Sequence, residues 1–205
     1  MAAPAHTKVT RDDWVAAALD ALGEVAIDEL KVLALAQGLS ISRSSFYWYF
    51  EDLPELQAEL LTRWEVNTRS IVERTERSAP TINAACLGVF ECWADESLYD
   101  AQLDLAVRDW GRRDPEIARR VHAADEARVA AVAAMFAHHG FEEDDALVRA
   151  RLLYHSQVGY YAVGTDEAMA IRLGYVPYYL RSMTGEEPSQ EELARFADFV
   201  HSIIR

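Results

Sequence analysis

The sequence predicts an all-α fold, and three observations carry this prediction. Apolar residues recur every three or four positions along almost the whole chain of 205 residues, which is the period of an amphipathic helix. Capping residues precede several of these segments. The chain has only 9 Gly and 6 Pro, which is too few for the many turns of an all-β protein.

Composition excludes several other classes of protein. A hydrophobic fraction of 51% and a charged fraction of 26% are ordinary for a globular protein and unlike a disordered chain or a fibre. The longest apolar run, Val129–Ala137, is shorter than the roughly 18 residues of a membrane span. The N-terminus has no basic segment followed by an apolar one, so we expect no signal peptide.

The two cysteines favour a reducing compartment. Cys86 and Cys92 would lie about 240° apart around one helix, so they cannot bridge within it. Two free thiols fit a cytoplasmic protein.

Four helices are predicted before the break at Ala79-Pro80. Thr10 with Asp13 is typical of a helix N-terminus, and Asp52 followed by Pro54 marks another. The predicted bounds are about 10–25, 31–39, 42–49 and 52–77.

Six further helices are predicted after that break. Asp114 caps the third of them, Gly140 ends it, and Pro177 interrupts the fifth. Ser189 with Glu192 forms a capping box for the last. The predicted segments are 81–96, 98–112, 115–139, 142–163, 168–183 and 189–205. The apolar stripe of the last helix consists of Leu193, Phe196, Ala197, Val200, Ile203 and Ile204.

Residues 35–50 carry the main functional signal. Two short helices joined by a tight turn describe a helix-turn-helix. Ser42 is placed to cap the second helix, and Phe46 and Phe50 share the face that packs on the first. A helix N-terminus favours phosphate, Arg43 suits phosphate or guanine, and small serines allow close approach to a groove. The predicted DNA contacts are Ser42, Arg43, Ser44, Ser45, Tyr47 and Trp48.

A structural helix corner is the alternative for this segment, and packing is the alternative for Tyr47 and Trp48. Three aromatics and an arginine on one short helix are hard to explain as core alone. The DNA-binding interpretation is therefore favoured.

These residues resemble the TetR family of transcriptional regulators. Residues 45–50, Ser-Phe-Tyr-Trp-Tyr-Phe, are similar to a Ser-Phe-Tyr-Trp-His-Phe string of some members, with Tyr49 in place of His. Leu35-Ala36, Leu56 and Trp64 extend the resemblance over about residues 10–65. Trp110-x-x-Arg113-Asp114-Pro115 is also similar.

The resemblance implies a homodimer with two domains. Residues 1–51 would form a three-helix, helix-turn-helix DNA-binding domain, and residues 52–205 a helical ligand-binding and dimerisation domain. A ligand would change the spacing of the two recognition helices and release the operator, because both must enter major grooves about 34 Å apart.

The sequence departs from the family pattern at two places. Ser40 stands where a turn Gly is usual, with Gly38 two residues earlier, so we expect either a serine in a left-handed conformation or a different turn. Leu53-Pro54, flanked by acidic residues, stands where a phosphate-contacting Lys is common.

Charge also opposes DNA binding. The net charge is −14, and residues 1–60 carry 4 basic and 10 acidic residues, a field that repels phosphate. We therefore expect weak or strongly salt-sensitive binding. His6, Lys8 and Arg11 are expected to compensate as a short basic arm.

By the family resemblance, the later helices would surround a ligand cavity, and their aromatic residues would give it apolar walls that suit a small, mostly apolar effector. For each single aromatic, plain core packing is the favoured alternative. His155 and Gln157 lie in an apolar stretch, where a buried polar group needs a partner such as a ligand, a carbonyl or water. The predicted ligand contacts are Phe90, Trp93, Trp110, Tyr154, Gln157 and Tyr160.

No cofactor and no metal are expected. His122 with Glu126 and the pair His138-His139 lack a third ligand at helical spacing, so surface ion pairing is the expected outcome. The acidic run 142–145 lacks the alternating ligands and Gly of a calcium loop. The stripe of the last helix and residues 148–161 are expected to form dimer contacts or, alternatively, internal core.

Three functions are compatible with these features. The first is a cytoplasmic, ligand-responsive transcriptional repressor. The second is a non-enzymatic interaction or ligand-binding protein of the same fold with weakened or lost DNA binding. The third, an enzyme, is disfavoured because no nucleophile elbow, phosphate loop or metal cluster is present.

Overall fold

The structure is a computed structural model that describes residues 9–165 and 167–203. Within this part of the chain it contains ten α-helices, two short 3₁₀ helices and no strand, which confirms the all-α prediction. The α-helices are α1 Arg11–Ala21, α2 Val32–Gly38, α3 Leu53–Thr68, α4 Ser70–Thr75, α5 Ile82–Ala94, α6 Ala101–Gly111, α7 Pro115–His138, α8 Glu143–Val163, α9 Met169–Thr184 and α10 Gln190–Ile203. The 3₁₀ helices are Ile27–Glu29 and Arg43–Trp48.

The chain divides into two compact units. The first comprises the residues up to Trp64 together with Gln102–Ala118, and the second comprises Glu65–Ala101 together with the residues from Arg119 onward. The domain boundary predicted after residue 51 stays a prediction.

Local start signals explain where several helices begin. Thr10 and Asp13 form a capping box at α1, with the Thr10 hydroxyl accepting from the Asp13 N–H. Asp52 Oδ1 accepts from the Glu55 N–H at 2.9 Å, and Asp114 Oδ1 accepts from the Glu116 N–H at 2.8 Å. These bonds satisfy N–H groups that have no partner inside their helices, so the predicted starts hold.

Three predictions about the extent of helices were wrong. The helix predicted over 10–25 ends at Ala21. The predicted helix 52–77 is broken at Arg69, between α3 and α4. Pro177 lies inside α9 and does not interrupt it. Proline removes one backbone donor from a helix, but Val176 and Leu180 on either side of it are buried in the core, and their packing offsets that loss.

The first unit has a core of large aromatic and aliphatic side chains. α1 contacts α2, and α2 contacts the 3₁₀ helix Arg43–Trp48. Trp64 Nε1 donates to the buried Asp104 carboxylate at 2.7 Å, and Arg108 donates to the other oxygen of that carboxylate. The fully buried residues include Trp14, Val15, Ile27, Phe46, Leu56, Leu60 and Trp64.

The second unit is built around α5. This helix contacts α4, α9 and α10, and α9 also contacts α8. Cys86 and Cys92 are free and buried here, and burial raises the pKa of the Cys86 thiol to about 12. Among the described residues, no helix is long and apolar enough to cross a membrane.

The apolar stripe of α10 faces this core. Phe196 and Val200 are buried, and Leu193 and Phe199 pack against the same cluster. The Ser189–Glu192 capping box is present, since the Glu192 N–H donates to the Ser189 hydroxyl and the Ser189 N–H donates to the Glu192 carboxylate. The internal-core alternative therefore holds for Leu193, Phe196 and Val200 of this stripe. Ala197 and Ile203 are half-buried, and Ile204 lies outside the described residues.

Candidate functional site

The segment predicted to contact DNA is a 3₁₀ helix, Arg43–Trp48, and not an α-helix. Ser42 occupies its N-cap position, but its side chain makes no capping hydrogen bond, so the predicted side-chain cap is wrong. The Ser42 hydroxyl instead lies 2.9 Å from the hydroxyls of Ser44 and Ser45. The Ser45 N–H bonds the Ser42 carbonyl at 3.0 Å, which is the tighter pattern of a 3₁₀ turn.

Phe46 fixes this segment to the core of the first unit. Its ring is fully buried, stacks on Phe50 at 5.2 Å between centroids, and meets Trp14 edge to face at 5.1 Å. Aromatic pairs in these arrangements contribute about 0.5–1.5 kcal/mol beyond area burial. The inner face of the segment is therefore rigidly seated, as the sequence predicted.

The outer face presents the predicted contact residues to solvent. Ser42, Arg43 and Ser44 are exposed, and Ser45 is half-buried. Tyr47 is 49% and Trp48 79% exposed. Arg43 Nη2 donates to the Tyr47 hydroxyl at 3.2 Å. An arginine, two aromatics and several hydroxyls thus form one hydrogen-bonding surface, whose groups suit phosphate oxygens and base edges.

The turn before this segment has the predicted strained residue. Ser40 has φ = 56°, the only positive φ of a non-glycine residue in the described chain. The Ile41 N–H bonds the Ala36 carbonyl, and the Ser40 N–H bonds the Gln37 carbonyl, both at 3.0 Å. This pair of bonds is a Schellman motif, which requires a left-handed residue after the helix.

Arg11, which was expected to belong to a basic arm, is engaged within the first unit. Its Nη1 donates to the Tyr49 carbonyl at 2.5 Å and to Glu55 at 3.2 Å, and its guanidinium lies 4.1 Å from the centroid of the Phe50 ring. Arg11 therefore binds acceptors of the first unit itself, one backbone carbonyl and one carboxylate. His6 and Lys8 lie outside the described residues.

Glu55 is one of the acidic residues expected to weaken DNA binding. The Glu51 N–H donates to its carboxylate at 2.6 Å, and this bond, followed by the Arg11 contacts, lowers the pKa of Glu55. Arg11 offsets the charge of Glu55 locally, whereas Glu51 and Asp52 are exposed.

The second unit contains a cavity of about 130 Å³. Four of the six predicted ligand contacts line it, namely Phe90, Trp93, Gln157 and Tyr160. Tyr154 and Trp110 do not. Tyr154 is buried and exchanges hydrogen bonds with Arg128 and Asp125, and Trp110 belongs to the first unit.

The polar groups of the cavity differ in how well they are satisfied. The Tyr160 hydroxyl donates to Glu167 at 3.1 Å. The neighbouring Tyr161 is not among the lining residues, and its hydroxyl donates to the Trp93 carbonyl at 3.0 Å. Burial raises the pKa of Tyr161, and the charge of Arg172 and a hydrogen bond with the Gln157 side chain oppose that rise. The Gln157 Nε2 group is nevertheless buried without a hydrogen bond of acceptable geometry.

His155 does not share this environment. The sequence placed it with Gln157 in one buried stretch, but His155 is exposed. Two residues along a helix differ by about 200° around its axis, so the two side chains leave opposite faces of α8.

Several lining residues were not predicted from the sequence. They come mainly from α9 and α10, and no local pattern shows that these helices oppose α5 and α8. They are Ala94, Leu153, Ser156, Glu167, Met169, Arg172, Leu173, Val176, Tyr179, Met183, Phe196 and Val200.

No group of three potential metal ligands is found in the described part of the chain. His122 Nε2 lies 3.2 Å from Glu126 Oε1, and both side chains are exposed on one face of α7.

Comparisons with known proteins identify the fold. No family model and no curated protein matches the sequence. Salmonella enterica GusR is 16% identical with a TM-score of 0.62, over 89% of this chain and 97% of that one. A transcriptional regulator from Rhodococcus sp. Rha1 is 15% identical with a TM-score of 0.57, over 96% of each chain.

A third solved structure, the TetR family repressor AlkX from Dietzia sp., is 14% identical over 97% of this chain and 98% of that one, with a TM-score of 0.39. The chain therefore shares its all-α fold with GusR and with the Rhodococcus transcriptional regulator.

Proposed function

We propose that this protein is a ligand-responsive, sequence-specific DNA-binding regulator of the TetR type. The observation that carries the proposal is the exposed outer face of Arg43–Trp48, held in place by the buried Phe46 ring. Trp48 is 79% exposed, so most of its apolar surface is in contact with water, which is unfavourable. A partner that covers this surface recovers that free energy.

We further propose that the protein acts as a homodimer. α8 and α9 expose large apolar side chains on the second unit, namely Val148, Leu152, Ile171, Tyr175, Tyr178 and Tyr179. Exposed apolar residues in this number suit burial against a second copy. Of the two predicted dimer stripes, only that of α8 contributes residues here, because Leu193, Phe196 and Val200 of α10 pack in the core.

The mechanism follows from the spacing of two recognition segments. Both segments of a dimer must enter successive major grooves, about 34 Å apart, for tight binding. A small, mostly apolar effector in the cavity would favour a dimer with a different spacing, and the repressor would leave its operator. The effector can shift this equilibrium only by its difference in affinity for the two states.

DNA binding is tested by fluorescence anisotropy. Purified protein is titrated against fragments from upstream of its own gene at two salt concentrations, with scrambled DNA as the control. We expect one fragment to bind more tightly than scrambled DNA, and salt to weaken binding in proportion to the number of phosphate contacts. Equal affinity for all fragments at low salt would contradict a sequence-specific regulator.

A thermal-shift screen tests the class of effector. Apolar and aromatic compounds are expected to raise the unfolding temperature, because they bind the folded cavity only. Stabilisation by highly charged compounds alone would contradict this part of the proposal.

A second candidate function is an interaction protein of the same fold that has lost DNA binding. Residues 1–60 carry a net charge of −6, and Arg11 is engaged by Glu55 and the Tyr49 carbonyl. The salt series separates the two functions, since only the regulator gains affinity for one fragment as salt is lowered.

A further inference from the structure

The cavity of the second unit is lined by one cation and one anion from the same stretch of chain. Arg172 lies in the first turn of α9, and Glu167 lies just before that helix. Both residues are half-buried, whereas Leu153 and Val200, which line the same cavity, are fully buried. The charged groups therefore lie nearer to solvent than the apolar part of the wall.

Within residues 9–165 and 167–203, neither of these two charges forms an ion pair. Glu167 accepts a hydrogen bond from the Tyr160 hydroxyl at 3.1 Å. The Arg172 guanidinium lies over the ring of the same tyrosine, 5.2 Å from its centroid, and has a hydrogen bond with the Tyr161 side chain. These partners are neutral, so the cation and the anion both stay available to groups of opposite charge.

Most of the remaining wall is apolar or aromatic. Phe90 and Trp93 lie 5.7 Å apart between centroids, and both line the cavity. The cavity volume of about 130 Å³ is close to that of an engineered apolar cavity of roughly 150 Å³ that accepts benzene. One aromatic ring therefore matches the apolar part of the cavity, and its substituent would meet the charged part.

The two charges together select that substituent. A ligand that fills the cavity removes water from the charged groups of its wall, and a charge that loses water without gaining a partner is unfavourable. A neutral ligand pairs with neither Arg172 nor Glu167, and a ligand with one charge is attracted by one of them and repelled by the other. A substituent that carries both charges pairs with both residues, and its carboxylate forms charge-assisted hydrogen bonds with a guanidinium.

We propose that the effector is an aromatic zwitterion, a single ring on a short stem that ends in a carboxylate and an ammonium group. Its carboxylate binds Arg172, its ammonium group binds Glu167, and its ring lies against the aromatic wall. This inference rests on the proposed role of the cavity as the effector site. Such a ligand has no net charge, which agrees with an effector whose surface is mostly apolar.

Three probes that share one carbon skeleton test the proposal. Phenylalanine carries both charges, hydrocinnamate lacks the ammonium group, and phenethylamine lacks the carboxylate. Dissociation constants are measured by isothermal titration calorimetry on the full chain without DNA at neutral pH. We expect phenylalanine to bind roughly tenfold more tightly than either of the other probes, because each charge-assisted hydrogen bond contributes about 1.5–3 kcal/mol.

Two variants assign the preference to the two charges. Arg172→Gln removes the cation and should shift the preference to phenethylamine, since only Glu167 is left to select a charge. Glu167→Gln removes the anion and should shift the preference to hydrocinnamate. A purely structural role of either residue would weaken all three probes alike. Because the two variants predict opposite shifts, either of them tests the proposal alone if the other folds poorly.

Arg181→Gln is the matched control. Arg181 lies on the same helix, is exposed, pairs with Glu187 at 2.9 Å and does not line the cavity. This variant changes the net charge of the protein as Arg172→Gln does, so it should retain the wild-type preference for phenylalanine.

The proposal is overturned if hydrocinnamate or phenethylamine binds the wild-type protein as tightly as phenylalanine, if none of the probes binds, or if a folded Arg172 or Glu167 variant keeps the wild-type preference. These outcomes are distinct from failure of the proposed function, since the titrations contain no DNA. A chain that binds no operator but prefers phenylalanine through these two residues would keep this inference and lose the regulator proposal.

Discussion

The proposed recognition segment, Arg43–Trp48, and the cavity are both built from aromatic residues. They differ in whether their polar groups are in contact with water. In the recognition segment, the hydroxyls and the guanidinium of the outer face are exposed to water. In the wall of the cavity, the Gln157 Nε2 group lies beside Tyr161 and is buried without a hydrogen bond of good geometry. Exposed groups bond to water at no cost, whereas an unpaired buried donor costs about 1–3 kcal/mol.

This difference shows how strongly each region points to a ligand. Exposure of Arg43 and Trp48 is compatible with DNA binding, but an exposed face also occurs without a partner. A buried donor without a hydrogen bond of good geometry is rarer in folded proteins than an exposed face. Trp14 Nε1 is also buried without a partner, but Trp14 packs on Phe46 and is not among the residues that line the cavity.

The largest expected effect separates the inner from the outer face of the recognition segment. Phe46→Ala should destabilise the protein by about 3–5 kcal/mol, because it leaves a cavity beneath the segment. Trp48→Ala, on the exposed face, should change stability by no more than about 0.5 kcal/mol. Urea unfolding followed by circular dichroism measures both, and equal losses would show that Trp48 is part of the packing.

The next largest effect distinguishes Arg43, which we expect to contribute to operator binding, from Arg11, which we expect to contribute to stability. Arg43→Ala should weaken operator binding by about 1–3 kcal/mol, as expected for an arginine that contacts a base or phosphate, with nearly unchanged thermal stability. Arg11→Ala should instead lower the unfolding temperature, since the guanidinium bonds the Tyr49 carbonyl and covers the Phe50 ring. Anisotropy and differential scanning fluorimetry give the two readings, and an Arg43→Ala protein of wild-type affinity would remove Arg43 from the contacts.

A smaller effect is the pH dependence of stability that comes from Glu192, a buried carboxylate of the second unit that accepts hydrogen bonds. Burial of Glu192 would raise its pKa, but hydrogen bonds from Thr81 and Ser189 outweigh burial and lower the pKa below its ordinary value of 4.5. A lowered folded pKa stabilises the protein above the unfolded pKa, and this contribution is lost as pH falls through the folded value.

Glu192→Gln should therefore cost about 1 kcal/mol at neutral pH and reduce the loss of stability on acidification below about pH 4.5. Urea midpoints measured at a series of pH values test this change. Glu191→Gln is the control, because Glu191 lies in the same first turn but is exposed. An unchanged pH dependence in the Glu192 variant would exclude the proposed role of these hydrogen bonds.

The smallest expected effect is at the turn before the recognition segment. Ser40→Gly should stabilise the protein by about 0.5–1 kcal/mol, because glycine adopts a positive φ without steric cost. Gly38→Ala, in α2 with open space around the added methyl group, should also stabilise slightly. Thermal melts measure both, and a destabilised Ser40→Gly variant would show that the serine side chain supports the turn.

Local features could be predicted from the sequence because they depend on residues three or four positions apart. The capping box of Thr10 and Asp13, the left-handed Ser40 and the inward face of Phe46 are of this kind. The cap expected from Ser42 failed because the neighbouring serines offer its hydroxyl competing partners.

The cavity was predicted only in part. The sequence predicts ligand contacts at aromatic and polar residues of the later helices. The structure brings four of them together at the cavity, namely Phe90, Trp93, Gln157 and Tyr160. The separation of Gln157 from His155 and the contribution of Arg172 depend on which faces of α8 and α9 are covered. The continuation of α9 through Pro177 likewise depends on core packing around Val176 and Leu180.

The sequence by itself determined the all-α class, most helix starts and the outer face of the recognition segment, since hydrophobic period and capping are read within a few residues. Only the tertiary structure decided that Arg11 is engaged within the first unit, that Phe196 and Val200 of α10 are core, and that Gln157 and not His155 lines the cavity. The reason is physical: burial is set by contacts between helices distant in sequence, and no local pattern specifies which helix will cover a given face.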